Sequence, residues 1–493
     1  MHLLKQIIFQ ARQREDDPAV ATTAAVISYR TLSKAIEAAV EQLQGLGLER
    51  GAVVKIAVAH PLHQLYLVIA SGLLGLTTAS ILGGVGMTGG GPPAAMLLTD
   101  GEAPLGAAAA SARVHDGWFA TDPRTAPDYV ALLELPGYQS PDTLARLVFS
   151  SGTTGYPKCV GLTAEMFERR LLENALKLAS GSYQRGAVLN LMDMSTTGGS
   201  QSAISALAAG GLLCVARGPV AAIEMIRLFQ IQRLLASTGQ LQGLLELLRG
   251  KSALTSLRVV IVSGSRMPIR TLIEAQVKLC PDVMCCYGST EMGILTTGIS
   301  PVLQRAEGTV GYVLPGVELQ IVDEAGVPLP PGTLGVLRAR SPNMAFYVDE
   351  NGRRVGAAQD DGWLYPGDLA RFEADGSVVI AGRTGDVINH GGVITAPEFI
   401  EEAFRRDPAI SDVAAVGVAT PAGIDQIWAA VVAGTPLDLA AVLAHGRSLL
   451  REKAPDRVFQ VGAIPRNANA KIQRGVLRDQ LLAHAAGAPN KGP

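Results

Sequence analysis

Short apolar runs of strand character alternate with helical patterns over most of the chain. The strand-like runs are Val53–Val58, Leu144–Phe149, Ala187–Leu191, Leu212–Ala216, Leu257–Val262 and Met284–Tyr287. The helical patterns between them include Met166–Ala179, Ala222–Phe229 and Pro268–Leu279. Such alternation is typical of layered folds in which helices cover the faces of a sheet. The sequence therefore predicts an α/β fold with layered β-sheets and helices.

The pattern of predicted secondary structure changes after residue 316. Short strand-like runs joined by Pro, Gly and Asp turns predict a small antiparallel β subdomain up to residue 381. A β/α pattern then returns and continues to the end of the printed sequence. A chain of 493 residues also exceeds the ~250–300 residues at which a single core stops growing. We therefore predict a large N-terminal domain over residues 1–384 and a small α+β domain over residues 385–493.

Charge and cysteine content exclude several classes of protein. Lys and Arg number 42 and Asp and Glu number 44, so the net charge of −2 gives no reason to expect nucleic acid or an anionic membrane as partner. The five cysteines are odd in number and form no C-x-x-C pair, which disfavours a disulfide framework or zinc site and favours the cytoplasm. The uncharged stretch Leu65–Thr99 is long enough to span a bilayer. Because glycines interrupt it, we predict a buried helix near 62–75 and a strand near 77–82 instead of a span.

A loop rich in hydroxyls and glycine follows one of the predicted strands. Residues 147–149 lead into Ser150, Ser151, Gly152, Thr153, Thr154, Gly155, Tyr156, Pro157 and Lys158. The glycines let the backbone approach a ligand, while the hydroxyls and the lysine offer donors and positive charge to phosphate oxygens. A solvated surface loop is the alternative, but the density of donors after a strand favours a phosphate-binding loop.

Together with four later motifs, this loop resembles the adenylate-forming (AMP-forming) ligase superfamily of acyl-CoA synthetases, amino-acid adenylation domains and luciferases. Residues 286–291 (CYGSTE) resemble its Y-G-x-T-E motif, and residues 365–368 (YPGD) its T-G-D motif. Residues 382–386 (GRTGD) resemble its G-R-x-x-D hinge, and residues 465–471 (PRNANAK) its P-x-T-x-N-G-K motif. The resemblance covers nearly the whole chain, and the motifs occur in the order of the family.

The resemblance implies a role for each motif residue in a reaction that uses ATP and Mg²⁺. A carboxylate attacks the α-phosphorus of ATP to give an acyl-adenylate and pyrophosphate, and a thiol then takes the acyl group. The 150–158 loop would hold the β- and γ-phosphates, Thr290 would donate to the α-phosphate, and Glu291 would bind Mg²⁺. Tyr287 would stack on adenine, while Asp368 and Arg383 would bind the ribose.

The remaining residues implied by the resemblance lie beside the nucleotide and in the C-terminal domain. The backbone of Gly264 and Ser265 would line the adenine and acyl pocket, and Gly288 would lie beside the nucleotide. Lys471 would bridge the carboxylate and the α-phosphate, where negative charge accumulates. The C-terminal domain would act as a mobile lid that rotates between the two steps. Gly385 falls at the hinge, where glycine tolerates a large change in backbone angles, although an ordinary turn glycine is the alternative.

The identity of the acid is left open by two interpretations of residues 189–200 (LNLMDMSTTGGS). Residues 192–195 (MDMS), with Asp193 and Ser195, resemble the F-D-x-S of amino-acid adenylation domains, in which the aspartate pairs with the substrate ammonium. Alternatively, Asp193 is the N-cap of the helix that follows. Ser237 falls where many acyl-CoA ligases have V-P-P, so the pocket wall would be smaller and more polar there. A small or polar acid is therefore favoured over a long fatty chain.

Two ligase functions and two other functions compete for this sequence. The first is an acid–thiol ligase that uses CoA, and the second is a stand-alone amino-acid adenylating enzyme that loads a carrier protein. Residues 472–493 contain no serine, so any carrier is expected to be a separate protein. Residues 84–89 (GVGMTG) also fit the dinucleotide pattern G-x-G-x-x-G, but Pro92 and Pro93 disfavour the helix that an oxidoreductase needs there. The presence of Lys471, Glu291 and Asp368 argues against a non-catalytic nucleotide-binding protein.

Overall fold

The computed structural model describes residues 2–81, 91–104, 106–122, 124–150, 158–179, 186–358, 361–390, 393–420, 425–466 and 472–487. Its helices are α1 His2–Gln13, α2 Tyr29–Gly45, α3 Pro61–Leu74, α4 Tyr129–Glu134, α5 Ala164–Ala179, α6 Thr197–Ala208, α7 Gly218–Phe229, α8 Thr238–Leu247, α9 Ile269–Lys278, α10 Ser300–Leu303, α11 Pro397–Arg405, α12 Leu439–Leu450 and α13 Arg474–Gly487. Single turns of 3₁₀-helix occupy Asp116–Phe119, Thr384–Asp386 and Arg451–Lys453.

The strands divide among four sheets. Those of the first half are β1 Pro18–Ala21, β2 Val26–Ser28, β3 Val53–Ala57, β4 Thr77–Ser80, β5 Met96–Thr99, β6 Ala110–Arg113, β7 Leu144–Ser150, β8 Lys158–Thr163, β9 Val188–Asn190, β10 Leu213–Val215, β11 Arg233–Ser237 and β12 Val259–Ser263. Those of the second half are β13 Val283–Ser289, β14 Gly293–Ile299, β15 Thr309–Val313, β16 Glu318–Val322, β17 Gly335–Arg340, β18 Phe346–Val348, β19 Arg354–Val355, β20 Asp368–Phe372, β21 Val378–Arg383, β22 Ile388–His390, β23 Val393–Thr395, β24 Asp412–Ala419, β25 Asp425–Val432 and β26 Arg457–Gln460.

The largest sheet joins the parallel and antiparallel parts of the N-terminal domain. Its order is β16-β17-β20-β21-β15-β14-β13-β12-β11-β9-β10-β1-β2. The strands from β13 to β1 in this order are parallel, as the alternating pattern predicts. The antiparallel strands predicted after residue 316 are present, and they continue this sheet because β15 pairs with both β14 and β21.

The second sheet carries the strand that leads into the predicted phosphate loop. Its order is β19-β18-β8-β7-β4-β3-β5-β6, and β7 and β8 form an antiparallel pair on either side of residues 151–157. The uncharged stretch after Leu65 forms the buried helix α3 and strand β4, close to the predicted bounds. Within the part of the chain that the structure describes, no helix is both long and apolar enough to cross a membrane.

Each face of these sheets contributes to an apolar core. One core lies among α1, α2, α3, α5 and α6, with Ile7, Tyr29 and Phe167 fully buried. A second core lies under α7, α8 and α9. The glycine that ends α3 shows how closely the layers pack: Gly75 has φ of 76°, and a Cβ there would lie 2.2 Å from the Gly137 carbonyl oxygen. Only glycine satisfies both constraints.

The C-terminal segment has cores of its own. Strands β24, β25 and β26 form one sheet, and β22 and β23 form a separate two-stranded ribbon. Ile388, Ile400 and Phe404 belong to one apolar cluster on this sheet, whereas Trp428 and Leu477 belong to another. Separate cores are what an independent domain requires. The division at residues 384 and 385 stays a prediction that these clusters support.

Candidate active site

The candidate site lies at the carboxyl ends of neighbouring parallel strands. Strands β9, β11, β12 and β13 are adjacent and parallel. The residues that follow or end these strands include Asp193, Ser237, Gly264 and Tyr287, all of which the sequence assigns to the site. Open α/β sheets bind ligands at this edge, because the loops that leave successive strands converge there.

Side-chain hydrogen bonds hold the three predicted walls of the acid pocket together. The Gln240 Nε2 donates to the Leu191 carbonyl at 2.5 Å, and the Thr238 hydroxyl donates to the Ser265 carbonyl at 3.0 Å. Ser237 is buried, and its hydroxyl caps α8 by accepting the Gln240 backbone N–H. The predicted Ser237 is therefore part of a capping box, and its contact with substrate stays a prediction.

Asp193 closes a turn before α6 and is not the cap of that helix. Its Oδ1 accepts hydrogen bonds from the Ser195 backbone N–H at 2.8 Å and from the Ser195 hydroxyl at 2.6 Å. The N-cap is Thr196, whose side chain accepts from the Gly199 N–H. The alternative that made Asp193 the N-cap is therefore wrong by three residues. Asp193 is exposed and Ser195 is buried.

Asp368 lies between two donors that the sequence also places at the nucleoside. The Tyr287 hydroxyl donates to Asp368 Oδ2 at 2.6 Å, and the Arg383 Nε lies 2.9 Å from Oδ1. Asp368 and Arg383 meet because they are paired directly across β20 and β21. Burial and the Asp368 carboxylate raise the pKa of Tyr287 well above its ordinary value, so the phenol remains a donor. The structure thus brings together three of the predicted nucleotide-binding residues.

At position 288 of the 286–291 motif there is no space for a side chain. A Cβ on Gly288 would lie 2.0 Å from the Gly293 carbonyl oxygen and 2.8 Å from the Ile294 Cα. Strands β13 and β14 also shift register between Tyr287 and Gly288. The close approach of these two strands therefore fixes the backbone that precedes Thr290. Gly264 has φ of 96°, a conformation that side chains disfavour.

Lys158, Tyr347 and Glu291 form a small polar cluster beside the predicted phosphate loop. The Lys158 Nζ lies 5.0 Å from the centre of the Tyr347 ring, and the Tyr347 hydroxyl donates to Glu291 Oε1 across 3.5 Å. Burial, together with Glu291, raises the pKa of Tyr347 to about 12. Tyr347 belongs to no sequence motif. It lies on β18, which pairs with β8, the strand of Lys158, and only this strand pairing indicates its place in the site.

A single carboxylate with a nearby lysine fits a magnesium ion bound to phosphates. Mg²⁺ is commonly held by one or two carboxylates and by phosphate oxygens instead of a complete protein cage. Among the described residues, no group of three or more His, Cys, Asp or Glu is placed to hold a metal. Glu291 stays the predicted residue that would hold the ion, and Lys158 would add positive charge for the phosphates.

Several predicted site residues lie outside the described residues. These are Ser151, Gly152, Thr153, Thr154, Gly155 and Lys471, as well as the glycine-rich residues 84–89. Ser150 is described only as the backbone residue of β7 that pairs with Lys158. Gly385 lies in the 3₁₀ turn Thr384–Asp386, where a Cβ would meet no atom within 4 Å. Its hinge role stays a prediction.

Comparison with known proteins places this site within one family. The family model described as AMP-binding enzyme matches residues 93–346. The medium-chain fatty-acid–CoA ligase of Escherichia coli is 28% identical over 362 residues, which span 69% of this chain and 62% of that protein. The 4-chlorobenzoate–CoA ligase of an Arthrobacter species is 28% identical over 366 residues, which span 72% of this chain and 70% of that protein.

A solved structure shares the fold over nearly the whole chain. The o-succinylbenzoate coenzyme A synthetase of Bacillus subtilis, solved with ATP and a magnesium ion, superposes with a TM-score of 0.81 at 22% identity. The match covers 96% of this chain and 99% of that protein. The predicted fold class and the predicted class of ATP-dependent ligase are confirmed. The chain belongs to the AMP-binding enzyme family, the adenylate-forming ligases that its sequence motifs predict.

Proposed function

We propose that this protein activates a small or polar carboxylic acid with ATP and transfers the acyl group to the thiol of CoA. The observation that carries the proposal is the Tyr287–Asp368–Arg383 cluster, in which a buried carboxylate is held ready for the hydroxyls of a ribose. The names of the two relatives described above, both CoA ligases, support CoA as the acceptor.

In the first step the acid oxygen attacks the α-phosphorus, and the bond to pyrophosphate breaks. Both reactants are anions, so the main task of the residues is to supply positive charge and donors at fixed positions. Mg²⁺ supplies charge neutralisation on the phosphates when it is bound. Lys158, the last residue of the predicted phosphate loop, supplies positive charge, Thr290 offers a hydroxyl to the α-phosphate, and Lys471 approaches both the acid and the α-phosphate.

In the second step the thiol sulfur attacks the acyl carbon and AMP leaves. We propose that residues 385–493 act as a lid that turns about Gly385 between the two steps, with residues 1–384 as the fixed body. An exposed glycine with open space around it is compatible with such a rotation. AMP would leave from the ribose contacts of Asp368 after the transfer.

A second candidate is an amino-acid adenylating enzyme that loads a separate carrier protein. Both hydrogen bonds of the Asp193 carboxylate go to Oδ1, and the residue is exposed at the strand edge. An ammonium group could therefore bind Oδ2 without breaking the turn. This geometry favours the candidate.

ATP–pyrophosphate exchange over a panel of small carboxylic and amino acids tests the first step. We expect exchange with at least one acid, and exchange with none of a broad panel would count against the ligase function. Exchange with amino acids alone would select the second candidate. Thioester formation with CoA, compared with a purified phosphopantetheinyl carrier protein, then identifies the acceptor.

A further inference from the structure

A buried arginine outside every sequence motif contacts the backbone of the two residues proposed to bind phosphate and magnesium. Arg170, on α5, donates from one terminal nitrogen to the Thr290 carbonyl at 2.9 Å. Its other terminal nitrogen donates to the Glu291 carbonyl at 3.3 Å and to the Asn343 carbonyl at 2.5 Å. The side chain is 3% exposed. One guanidinium therefore joins two loops that are distant in sequence.

The energetics indicate that these contacts are needed. The Arg170 guanidinium is a positive charge in a buried position. A buried charge is costly unless it is hydrogen-bonded. The three carbonyl oxygens supply that compensation, and their positions are in turn fixed by the rigid planar fork of the guanidinium.

The same network extends to the side chain of Glu291. The Glu291 carbonyl also accepts the Ala345 backbone N–H at 2.6 Å, and the Asn343 Nδ2 donates to Glu173, one turn after Arg170 on α5. Residues 343–345 lead directly into β18, whose Tyr347 contacts Glu291 Oε1. One connected set of contacts thus restrains both the backbone carbonyl and the carboxylate of Glu291.

We propose that Arg170 is a positioning residue for adenylation. By holding the Thr290 and Glu291 carbonyls, it directs the Thr290 hydroxyl to the α-phosphate and the Glu291 carboxylate to magnesium. This inference rests on the proposed function, because it assigns Arg170 to the same phosphate and metal site. Groups that orient metal ligands in this way typically change metal affinity or activity by ~10–100-fold when they are removed.

The test compares Arg170→Met with Arg169→Met in the full-length protein. Methionine keeps much of the side-chain volume but removes the charge and the donors. Arg169 is a matched control, because it is the adjacent arginine on α5 but is partly exposed and bonds to Glu165 and the Pro342 carbonyl. The readouts are calorimetric affinity for ATP with Mg²⁺, affinity for adenosine without metal, and the melting temperature.

We expect Arg170→Met to weaken the binding of ATP with Mg²⁺ by ~10-fold or more while the affinity for adenosine stays unchanged. Arg169→Met should leave both affinities at the wild-type level. Equal ATP affinity in Arg170→Met and wild type would overturn the inference, and so would a parallel loss of adenosine affinity and melting temperature, which indicates a merely structural arginine. Failure of the wild-type protein to bind ATP with Mg²⁺ would instead overturn the proposed function.

Discussion

The Tyr287 hydroxyl and the Asp368 carboxylate are joined by a 2.6 Å hydrogen bond between β13 and β20. These strands are separated in the large sheet by β14, β15 and β21. It connects the parallel part, which carries the predicted acid pocket, to the antiparallel part, which carries Arg383. The predicted ribose site is therefore built from both the parallel and the antiparallel part of this sheet.

Substitution at this pair should separate stability from nucleotide binding. In Tyr287→Phe the buried carboxylate loses one donor, so we expect a loss of ~1–2 kcal/mol in the free energy of unfolding with only a small rise in the KM for ATP. In Asp368→Asn the charge that pairs with Arg383 is lost, and we expect a rise of ~10-fold or more in the KM for ATP because hydrogen bonds to charged groups are stronger. Urea unfolding and exchange kinetics measure the two effects, and equal KM values for both variants would contradict this division.

Gly288→Ala should disrupt the 286–291 motif by steric contact alone. The new methyl group would lie 2.0 Å from the Gly293 carbonyl oxygen, which belongs to backbone and cannot rotate away. We expect a loss of ~2 kcal/mol or more in the free energy of unfolding, as for other overpacked sites. Gly385→Ala is the matched control, because that methyl group meets no atom within 4 Å and should leave stability unchanged. A tolerated Gly288→Ala would show that β13 and β14 can move apart.

The alternation of apolar strand-like runs with helical patterns predicts the strands and helices well. A parallel strand is buried on both faces, so it is a continuous apolar run in the sequence. The predicted run Val53–Val58, for example, is β3 Val53–Ala57. Contacts between residues that are distant in sequence cannot be predicted from such a local pattern. Arg170 reaches Thr290 across 120 residues, and Tyr347 reaches Glu291 through strand pairing, so no local pattern marks either side chain. The sequence alone does not distinguish Asp193 from Thr196 as the N-cap of α6, because the side chains of both residues accept hydrogen bonds well.

Asp193→Asn distinguishes the two candidate substrate classes. Asparagine keeps an oxygen that can accept from the Ser195 N–H, so we expect the turn and the melting temperature to be preserved. If an ammonium group binds the carboxylate, exchange with amino acids should fall by ~10-fold or more while exchange with simple acids is unchanged, because the ammonium loses its charged partner. ATP–pyrophosphate exchange with matched pairs of acids, with and without an α-amino group, measures the ratio. An equal effect on both members of each pair would exclude the ammonium contact.

The C-terminal segment contains a buried glutamate, Glu401, and a partly buried one, Glu398, whose pKa values shift in opposite directions. Burial, with the help of Glu401, raises the pKa of Glu398 above 4.5. Burial also acts on Glu401, but Arg474 and Arg405 outweigh it and lower the pKa of Glu401. Arg474 pairs with both carboxylates and with Asp386 in the predicted hinge turn. The charge state of this cluster is therefore linked to the stability of the segment.

Opposite pKa shifts predict opposite trends of stability with pH. A raised pKa means that Glu398 adds stability below about pH 4.5 and that this contribution is lost as the pH rises through the raised value. A lowered pKa means that Glu401 adds stability above about pH 4.5 and that it is lost as the pH falls through the lowered value. Relative to wild type, Glu398→Gln should thus lower the free energy of unfolding least at neutral pH. Glu401→Gln should lower it most at neutral pH, by ~3 kcal/mol.

Hydrogen exchange of β24 and β25 at several pH values measures these costs locally, in the presence of the whole protein. Both strands belong to the sheet against which α11, the helix of Glu398 and Glu401, is packed. As the pH falls, we expect the loss of protection in Glu401→Gln relative to wild type to shrink, and that in Glu398→Gln to grow. Parallel changes would show that the two carboxyls titrate as equivalent partners of Arg474.

Lys471→Ala should abolish catalysis of the first step without abolishing nucleotide binding. The proposed role of Lys471 is to place a point charge between the acid and the α-phosphate, where the transition state gathers negative charge, so its loss should lower the exchange rate by ~100-fold or more. Affinity for ATP should change far less, because the proposed adenine contact of Tyr287 and the proposed ribose contact of Asp368 remain. Lys453→Ala is the control in the same segment, since that ammonium lies over the Phe399 ring, 5.1 Å from its centre. Comparable exchange rates in Lys471→Ala and Lys453→Ala would remove Lys471 from the catalytic residues, whereas a loss confined to Lys471→Ala would assign the first step to the C-terminal segment.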